Sequence, residues 1–560
     1  LSAEANSATA APERAPSQWS AFAHAAFTVI WLASVFSNVG TAMFDTASGW
    51  LITSLNANPL AVSLVQVAVS LPLFLFTLPA GALADVIDSR RLLIGVEVAI
   101  IFISVIFAAL VSLNLVNSTA LLLTTFLLGA GGALTSPAWA AIIPQLVPRR
   151  DLDSATSANS IGFNLSRAVG PALGGLIIAV VGLGAPFWIF AISNVGIVAS
   201  LLWWKPPPKA TDGLPAERLI SAVRTGIRYA MNNEYLGATL FRALAFFPFA
   251  TAYWALLPLV ARAQMTGGPE NYGLLLGALG VGAIGGSFVL NRLKEMLGPD
   301  RLVAWSTVVT AVALFLFGIA HGVVIAVFAC LIAGATWTLV LSVLYVSAQV
   351  ALPDWVRGRG LAIFLTVIFG ATTVGSAVWG QLAAMAGLAV AHFIAAVVVV
   401  AAIPLTWHWK LQTGATVDMT PSMHWRAPAG LQKIENNRGP VLMTLDYNVD
   451  PANREAFLHS LDALRHERKR DGAFAWGCFE DLNATGRFVE TFLIESWLEV
   501  LHARERVTNA DKMIEEQVFK LLANEPKLTI MIAAERPHRS LRLRAHGPYA
   551  APPADASAPN

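Results

Sequence analysis

Residues 59–91 read Pro59-Leu-Ala-Val-Ser-Leu-Val-Gln-Val-Ala-Val-Ser-Leu-Pro-Leu-Phe-Leu-Phe-Thr-Leu-Pro-Ala-Gly81-Ala-Leu-Ala-Asp85-Val-Ile-Asp-Ser-Arg90-Arg91. No charged side chain stands between Pro59 and Ala84, and Arg90 and Arg91 close the stretch after Asp85 and Asp88. A helix needs about 20 apolar residues to cross the hydrocarbon core. Basic residues collect on the cytoplasmic side of such helices. This stretch therefore predicts a membrane span that ends in a cytoplasmic turn.

The same pattern repeats along most of the chain. Twelve spans are expected, at about 25–53, 59–83, 92–114, 119–143, 155–181, 185–204, 236–261, 271–293, 301–320, 323–351, 358–385 and 387–409. The even-numbered connections carry Arg90, Arg91, Arg149, Arg150, Lys205, Lys209, Arg218, Arg224, Arg228, Arg292, Lys294, Arg301, Arg357 and Arg359; the odd-numbered ones carry only Arg262. That asymmetry predicts a multi-pass protein of the cytoplasmic membrane with both termini in the cytoplasm.

Composition agrees. Of 560 residues, 56% are hydrophobic and 13% charged, too few charges to cover a soluble surface. The 37 basic and 35 acidic residues leave a formal net charge of +2, which argues against nucleic acid as a partner. Two cysteines, Cys330 and Cys478, exclude a disulfide scaffold and a cysteine zinc site. No Gly-x-x-x-x-Gly-Lys-[Ser/Thr] sequence is present, so active transport has to draw on an ion gradient.

Charge density divides the chain: residues 410–560 hold 39 of the 72 charged side chains. The expected order is a disordered lead (1–21) without the layout of a signal peptide, a six-helix bundle (22–204), a cytoplasmic loop (205–235), a second six-helix bundle (236–409), a linker (410–439), a soluble domain (440–535) and a disordered tail (536–560). Leu1 in the place of Met suggests a non-standard start or a trimmed chain. Arg536, Arg539, Arg542 and Arg544 in the tail could touch anionic lipid.

An internal repeat supports two halves. Pro148 leads to Gly170 and Gly175; 205 residues later, Pro353 leads to Gly375 and Gly380. The same offset carries Gly81 onto Gly286. Two such halves are the layout of a transporter whose site lies at the bilayer midplane between them.

Two motifs and several further stretches carry a family resemblance. Gly81-Ala-Leu-Ala-Asp85-Val-Ile-Asp-Ser-Arg90-Arg91 resembles the loop signature of the major facilitator superfamily, Gly-x-Leu-Ala-Asp-x-x-Gly-Arg-Arg, but has Val86, Asp88 and Ser89 where that pattern has other residues. The resemblance implies that Gly81 allows close helix approach, that Asp85 latches the cytoplasmic side, and that Arg90 and Arg91 anchor at headgroups. Gly170-Pro171-Ala-Leu-Gly174-Gly175 resembles the motif of antiport members, with Ser157 and Ser166 at places where glycines are usual. Its small residues suit backbone-to-backbone helix packing. Trp254–Arg262, the run from Tyr272, Pro353–Ala362, Glu495–Glu499 and Arg504–Asp511 resemble the transmembrane secretion effector branch, similar to enterobactin and macrolide exporters.

Charges inside spans cost several kcal/mol unless they face a cavity or a partner. Asp45 and Arg167 lie deepest; Glu97 and Arg242 lie nearer the ends of spans three and seven. Two readings of Asp45 stay open: a proton carrier, because a low-dielectric cavity favours the neutral acid, or half of a static brace with Arg167. Asn38, Gln66 and Asn164 are candidates for further polar lining, with helix–helix glue as the alternative; Asn194 is a similar amide.

The tail alternates through Val441–Val449, Ala473–Asp481, Arg487–Ser496 and Leu528–Ala533, with helical spacing over Pro451–Arg470 and Trp497–Leu522. That order, β-α-β-β-α-β, predicts a small α+β ferredoxin-like domain. It resembles the antibiotic-biosynthesis-monooxygenase type, commonly a dimer. Tyr447, Asn453 and Trp476 are residue types that such domains can use, but no spacing demands catalysis, so a non-enzyme is expected. His459 and His466 fit a solvated helix face better than a metal site, and no metal or other cofactor is expected. Apolar strand residues of both parities, Phe474 and Trp476 on one face and Phe479 on the other, predict a homodimer through the open sheet face.

The expected function is a proton-coupled antiporter that exports an amphipathic small molecule, such as a siderophore, macrolide or other drug. Its partners would be the lipid bilayer, the cargo and protons. The alternative is a transporter-derived membrane sensor that signals through its tail.

Overall fold

The computed structural model describes residues 19–206, 226–265, 268–412, 420, 422, 424 and 438–534, without the side chains of residues 82, 84–86, 354 and 505. Eleven long helices come first: α1 (Ala25–Leu55), α2 (Pro59–Val86), α3 (Ser89–Ser112), α4 (Ser118–Leu146), α5 (Leu152–Val180), α6 (Ala185–Trp203), α7 (Glu234–Ala263), α8 (Pro269–Ile319), α9 (Val323–Val350), α10 (Asp354–Ala386) and α11 (Leu388–Thr406). All are long and apolar enough to cross a membrane, giving eleven candidate spans among the described residues.

Capping side chains set several helix starts. Asn58, Asp88 and Asn117 each accept a hydrogen bond from a first-turn backbone N–H of α2, α3 and α4, which satisfies donors that the helix itself cannot. Helix α8 differs from expectation. Its range covers 51 residues, where two spans were predicted. The backbone stops being helical at Gly298 (φ 72°, ψ 164°), followed by Pro299. Glycine tolerates that positive φ. Two helical stretches therefore meet at a kink within α8.

The chain divides into two compact units, one holding most of the helical spans. The other joins the C-terminal domain with residues from 226–237 and 347–360. In it, Arg470 lies over the Tyr229 ring at 5.4 Å and Arg506 over the Trp355 ring at 4.4 Å. Its strands are β1 (Val441–Asn448), β2 (Phe474–Glu480), β3 (Arg487–Ile494) and β4 (Lys527–Ile532). They form one sheet in the order β2-β3-β1-β4, antiparallel throughout. Alternation turns Val441, Met443, Leu445 and Tyr447 inward with Phe488, Phe492 and Ile494. These pack on Phe457, Leu461 and Leu464 of α12 (Arg454–Arg470), on Trp497 and Val500 of α13 (Trp497–Arg506) and on Val518 of α14 (Asn509–Phe519).

Two expectations for this domain need correction. The helix predicted over 497–522 is two helices, because Thr508 and Asp511 form a reciprocal capping box that starts α14 anew. Trp476 does not share a face with Phe474. The register shifts between Phe474 and Gly477, with Ala475 at φ 51°, so Trp476 packs on the core while Phe474 stays 37% exposed. Such a bulge re-aims the side chains beyond it.

Candidate transport cavity

The two helical halves enclose a cavity of about 160 Å³. From the first half come Ala42 and Asp45 on α1 and Arg167 and Pro171 on α5; from the second come Trp254 on α7, Leu279 and Gly280 on α8, and Gly334 and Trp337 on α9. Asp45 and Arg167 are the only charged residues in this lining, and both are exposed to it. Among the described residues no ion pair joins them; Arg167 lies instead over Phe163 of its own helix, at 5.7 Å.

Close backbone packing holds the cavity walls. A Cβ on Gly170 would fall 2.6 Å from the Ala42 Cβ, and one on Gly174 would fall 3.1 Å from the Met43 Cα, so both glycines seat α5 against α1. A Cβ on Gly175 would fall 2.9 Å from the Gly273 Cα, and one on Gly280 would fall 2.8 Å from the Ala168 Cα, which sets α5 against α8. Pro171 itself lines the cavity.

The 205-residue repeat reappears in these contacts. Gly375 on α10 meets Pro248 and Thr251 of α7, as Gly170 on α5 meets α1. Gly380 meets Ser63 of α2 in the other half, as Gly175 meets α8. The third pair is unlike: Gly286 abuts Ala335, whereas a Cβ on Gly81 would meet nothing within 4 Å. The close helix approach expected at Gly81 is therefore not found.

Further contacts join the halves. Thr373 on α10 donates to the Ser70 Oγ of α2 at 2.8 Å. Arg262 at the end of α7 donates to the Thr53 and Ser54 hydroxyls of α1 at 2.9 and 3.0 Å. It also lies 5.8 Å from the Trp50 ring, which stacks on Tyr272. All these inter-half contacts fall between the middle of the spans and the end bearing the charge-poor, odd-numbered connections.

The remaining predicted residues lie elsewhere. Asn38 and Gln66 are half-buried but do not line the cavity. Asn164 is exposed and donates to the Ser160 carbonyl of its own helix. Glu97 is buried within α3, and one of its carboxylate oxygens has no hydrogen-bond partner. Arg242 is not at the cavity either. It is 3% exposed, pairs with Asp300 at 2.8 Å and donates to the Trp409 carbonyl at 3.1 Å, bracing the second half. Asn194 accepts from Ser37 at 2.8 Å, joining α6 to α1. Arg90 donates to the carbonyls of Leu201 and Leu202 at 2.8 and 3.1 Å, so it caps the end of α6, where headgroup anchoring was expected. Arg91 is exposed. The Asp85 side chain, Lys209, Arg218, Arg224 and the arginines from Arg536 onward lie outside the described residues.

Sequence reading missed Trp254 and Trp337 as lining, because an indole in an apolar span looks the same whether it faces lipid or a cavity. It also missed Glu490 in the C-terminal domain. Glu490 is fully buried and accepts from the Tyr447 hydroxyl at 2.6 Å and from the Trp476 indole at 2.7 Å. Burial, together with the Glu490 carboxylate, pushes the Tyr447 hydroxyl well above its ordinary range. Asn453 ends a short turn before α12, and His459 and His466 are exposed.

Comparison with known proteins agrees with this geometry. The family model described as "Transmembrane secretion effector" matches residues 16–538. The staphyloferrin A transporter of Staphylococcus aureus is 24% identical over 56% of this chain and 79% of its own length. The multidrug efflux pump Tap of Mycolicibacterium fortuitum is 24% identical over 64% and 90%. The enterobactin exporter EntS of Escherichia coli is 25% identical over 65% and 86%. Among solved structures, a POT family transporter in complex with 5-aminolevulinic acid superposes with TM-score 0.56 and 13% identity, over 69% of this chain and 96% of the other. A D-xylose-proton symporter does so with TM-score 0.54 and 15% identity, over 70% and 99%. A helical repeat folded around a mid-span cavity, with a family match over nearly its whole length, makes this chain a multi-pass membrane transporter of the major facilitator type, belonging to the transmembrane secretion effector family.

Proposed function

We propose that this chain exports an amphipathic small molecule across the cytoplasmic membrane by alternating access, in exchange for protons. The observation that carries the reading is the mid-span cavity between the halves, whose lone acid and lone base are not paired. The relatives named for staphyloferrin A, enterobactin and multidrug efflux support small-molecule cargo. At about 160 Å³ the cavity is smaller than the 300–1,000 Å³ typical of drug-sized sites, so such a cargo enters as the halves part.

In this reading, the kink at Gly298 separates spans eight and nine, giving twelve spans in two bundles (22–204 and 236–409). The basic connections and both termini face the cytoplasm. The contacts between halves then close the outer side, so the conformation is inward-facing. Asp45 carries the proton. Gly170, Gly174 and Gly175 are the surfaces on which α5 moves against α1 and α8, and Asp85, Arg90 and Arg91 belong to the cytoplasmic turn. The C-terminal sheet, with strand order β2-β3-β1-β4 and its second helical stretch split into α13 and α14, is a ferredoxin-like domain of the antibiotic-biosynthesis-monooxygenase type without catalysis. Exposed Phe474, Phe479 and Met531 supply its dimer face.

Reconstituted protein in liposomes with an imposed pH gradient tests the function. Uphill movement of a cargo that stops when the gradient is collapsed is the expected result. Binding without flux would replace the exporter with a membrane sensor.

A further inference from the structure

The second half carries a shallow crevice at the end that bears the basic connections. It lies where α7, the second stretch of α8 and α11 meet, and none of its residues lines the transport cavity. Its floor is apolar, with Ala245 from α7, Val303 and Ala304 from α8, and Val399, Ala402 and Ile403 from α11. Two threonines also line it, but their hydroxyls are spent within their own helices. Thr307 donates to the Val303 carbonyl at 2.7 Å and Thr406 to the Ala402 carbonyl at 3.1 Å. Such a floor suits a hydrocarbon chain.

Charge gathers at one end of the crevice. Arg242, also in the lining, is held by Asp300, and Asp300 accepts from the Leu411 backbone N–H as well. The Arg242 guanidinium lies 5.8 Å from the Trp407 ring, and the Lys410 ammonium lies 4.3 Å from the same ring. Arg301 follows Asp300 in the chain and precedes Ala304 of the floor by one turn. Lys410 and Arg301 are both exposed. Three cations against one acid leave this group positive. The other charges of the connection, Arg292, Lys294 and Glu295, come before the kink at Gly298. Trp305 and Trp407 are exposed beside the group, and indoles concentrate at headgroup depth.

An apolar groove that ends in cations matches a lipid with an anionic head, and basic pockets between spans hold such headgroups. A zwitterionic lipid would bring its own cation to a positive patch. We propose that this crevice seats one anionic phospholipid from the leaflet at the basic connections. Its acyl chain lies against Ala304 and Ile403, and its phosphate sits between Arg301 and Lys410. The proposal is independent of the cargo and of proton coupling.

Native mass spectrometry of the full-length protein tests it, in micelles holding phosphatidylglycerol and phosphatidylcholine in equal amounts with matched chains. One phosphatidylglycerol per protein should be retained, roughly tenfold or more in preference to phosphatidylcholine. Arg301→Gln together with Lys410→Gln should remove most of that preference, while Lys410→Arg keeps it. Ala304→Phe fills the crevice and leaves every charge in place, so it should lower phosphatidylglycerol retention as far as the double change does. Should Ala304→Phe not accumulate, Ile403→Trp makes the same test. Equal retention of the two lipids, or a preference that survives either the charge or the filling variant, overturns the proposal. Displacement of the lipid by millimolar glycerol 1-phosphate also overturns it, because the site would then be one for free phosphate.

Discussion

At the residue scale, buried charges carry sharply different weights. Arg242 is closed in by Asp300 and the Trp409 carbonyl. Replacing it with leucine strands Asp300 and should cost about 3–5 kcal/mol, with Asp300→Leu in the same chain restoring much of the loss; accumulation and thermal unfolding of the two variants check this. In the C-terminal domain, Arg468 pairs with Glu515 at 2.7 Å, and His424 contacts Glu515 at 2.7 Å. Burial pushes the Glu515 carboxyl up, but Arg468 and His424 outweigh it and hold the group down at about 2. A carboxyl lowered on folding stabilises the fold above its unfolded value, about 4.3, and that stabilisation is lost as pH falls from there towards 2. Hydrogen exchange on the full-length protein should show the domain loosening across that window, and Glu515→Gln should loosen it already at pH 7. Sequence alone could single out Asp45 and Arg167, because charge in an apolar span is conspicuous. It gave no comparable sign for Glu490 or Glu515, since acids are ordinary in a soluble domain and their burial depends on which strand or helix face they fall upon.

At the scale of elements, glycine decides which helices touch. Gly273 and Gly175 bring α8 and α5 into backbone contact, and a side chain at either has no room. Gly273→Leu should force the halves apart, cutting transport at least tenfold while the protein still reaches the membrane; flux per inserted molecule reads this. Arg262 clasps Thr53 and Ser54 across the halves. Arg262→Ala should weaken that closure, so that a cysteine at Ser54 gains reactivity towards an impermeant thiol reagent outside the cell. The repeat was legible as a spacing of 205 residues, but its meaning, equivalent glycines on equivalent helix pairs, needed the fold. Hydropathy marked the spans well: the non-helical backbone at Gly298 falls between the stretches expected as spans eight and nine. The helix predicted over 497–522 failed because Thr508 and Asp511 form a start signal inside an apparently continuous pattern.

At the scale of the whole molecule, the chain joins a transporter to a sheet domain with an open aromatic face. Phe474 and Phe479 are 37% and 59% exposed, and soluble surfaces seldom leave such a patch uncovered. Cysteine placed at Phe479 in full-length protein should cross-link two chains in native membranes; a clean monomer under oxidation counts against the dimer. The measurement that bears most directly on the central claim is transport by wild type and Asp45→Asn side by side in proteoliposomes, comparing pH-driven accumulation with exchange of cargo at equal pH. Asp45→Asn is expected to lose accumulation, while exchange at equal pH persists at saturating cargo. Accumulation at the wild-type rate by Asp45→Asn would contradict that claim.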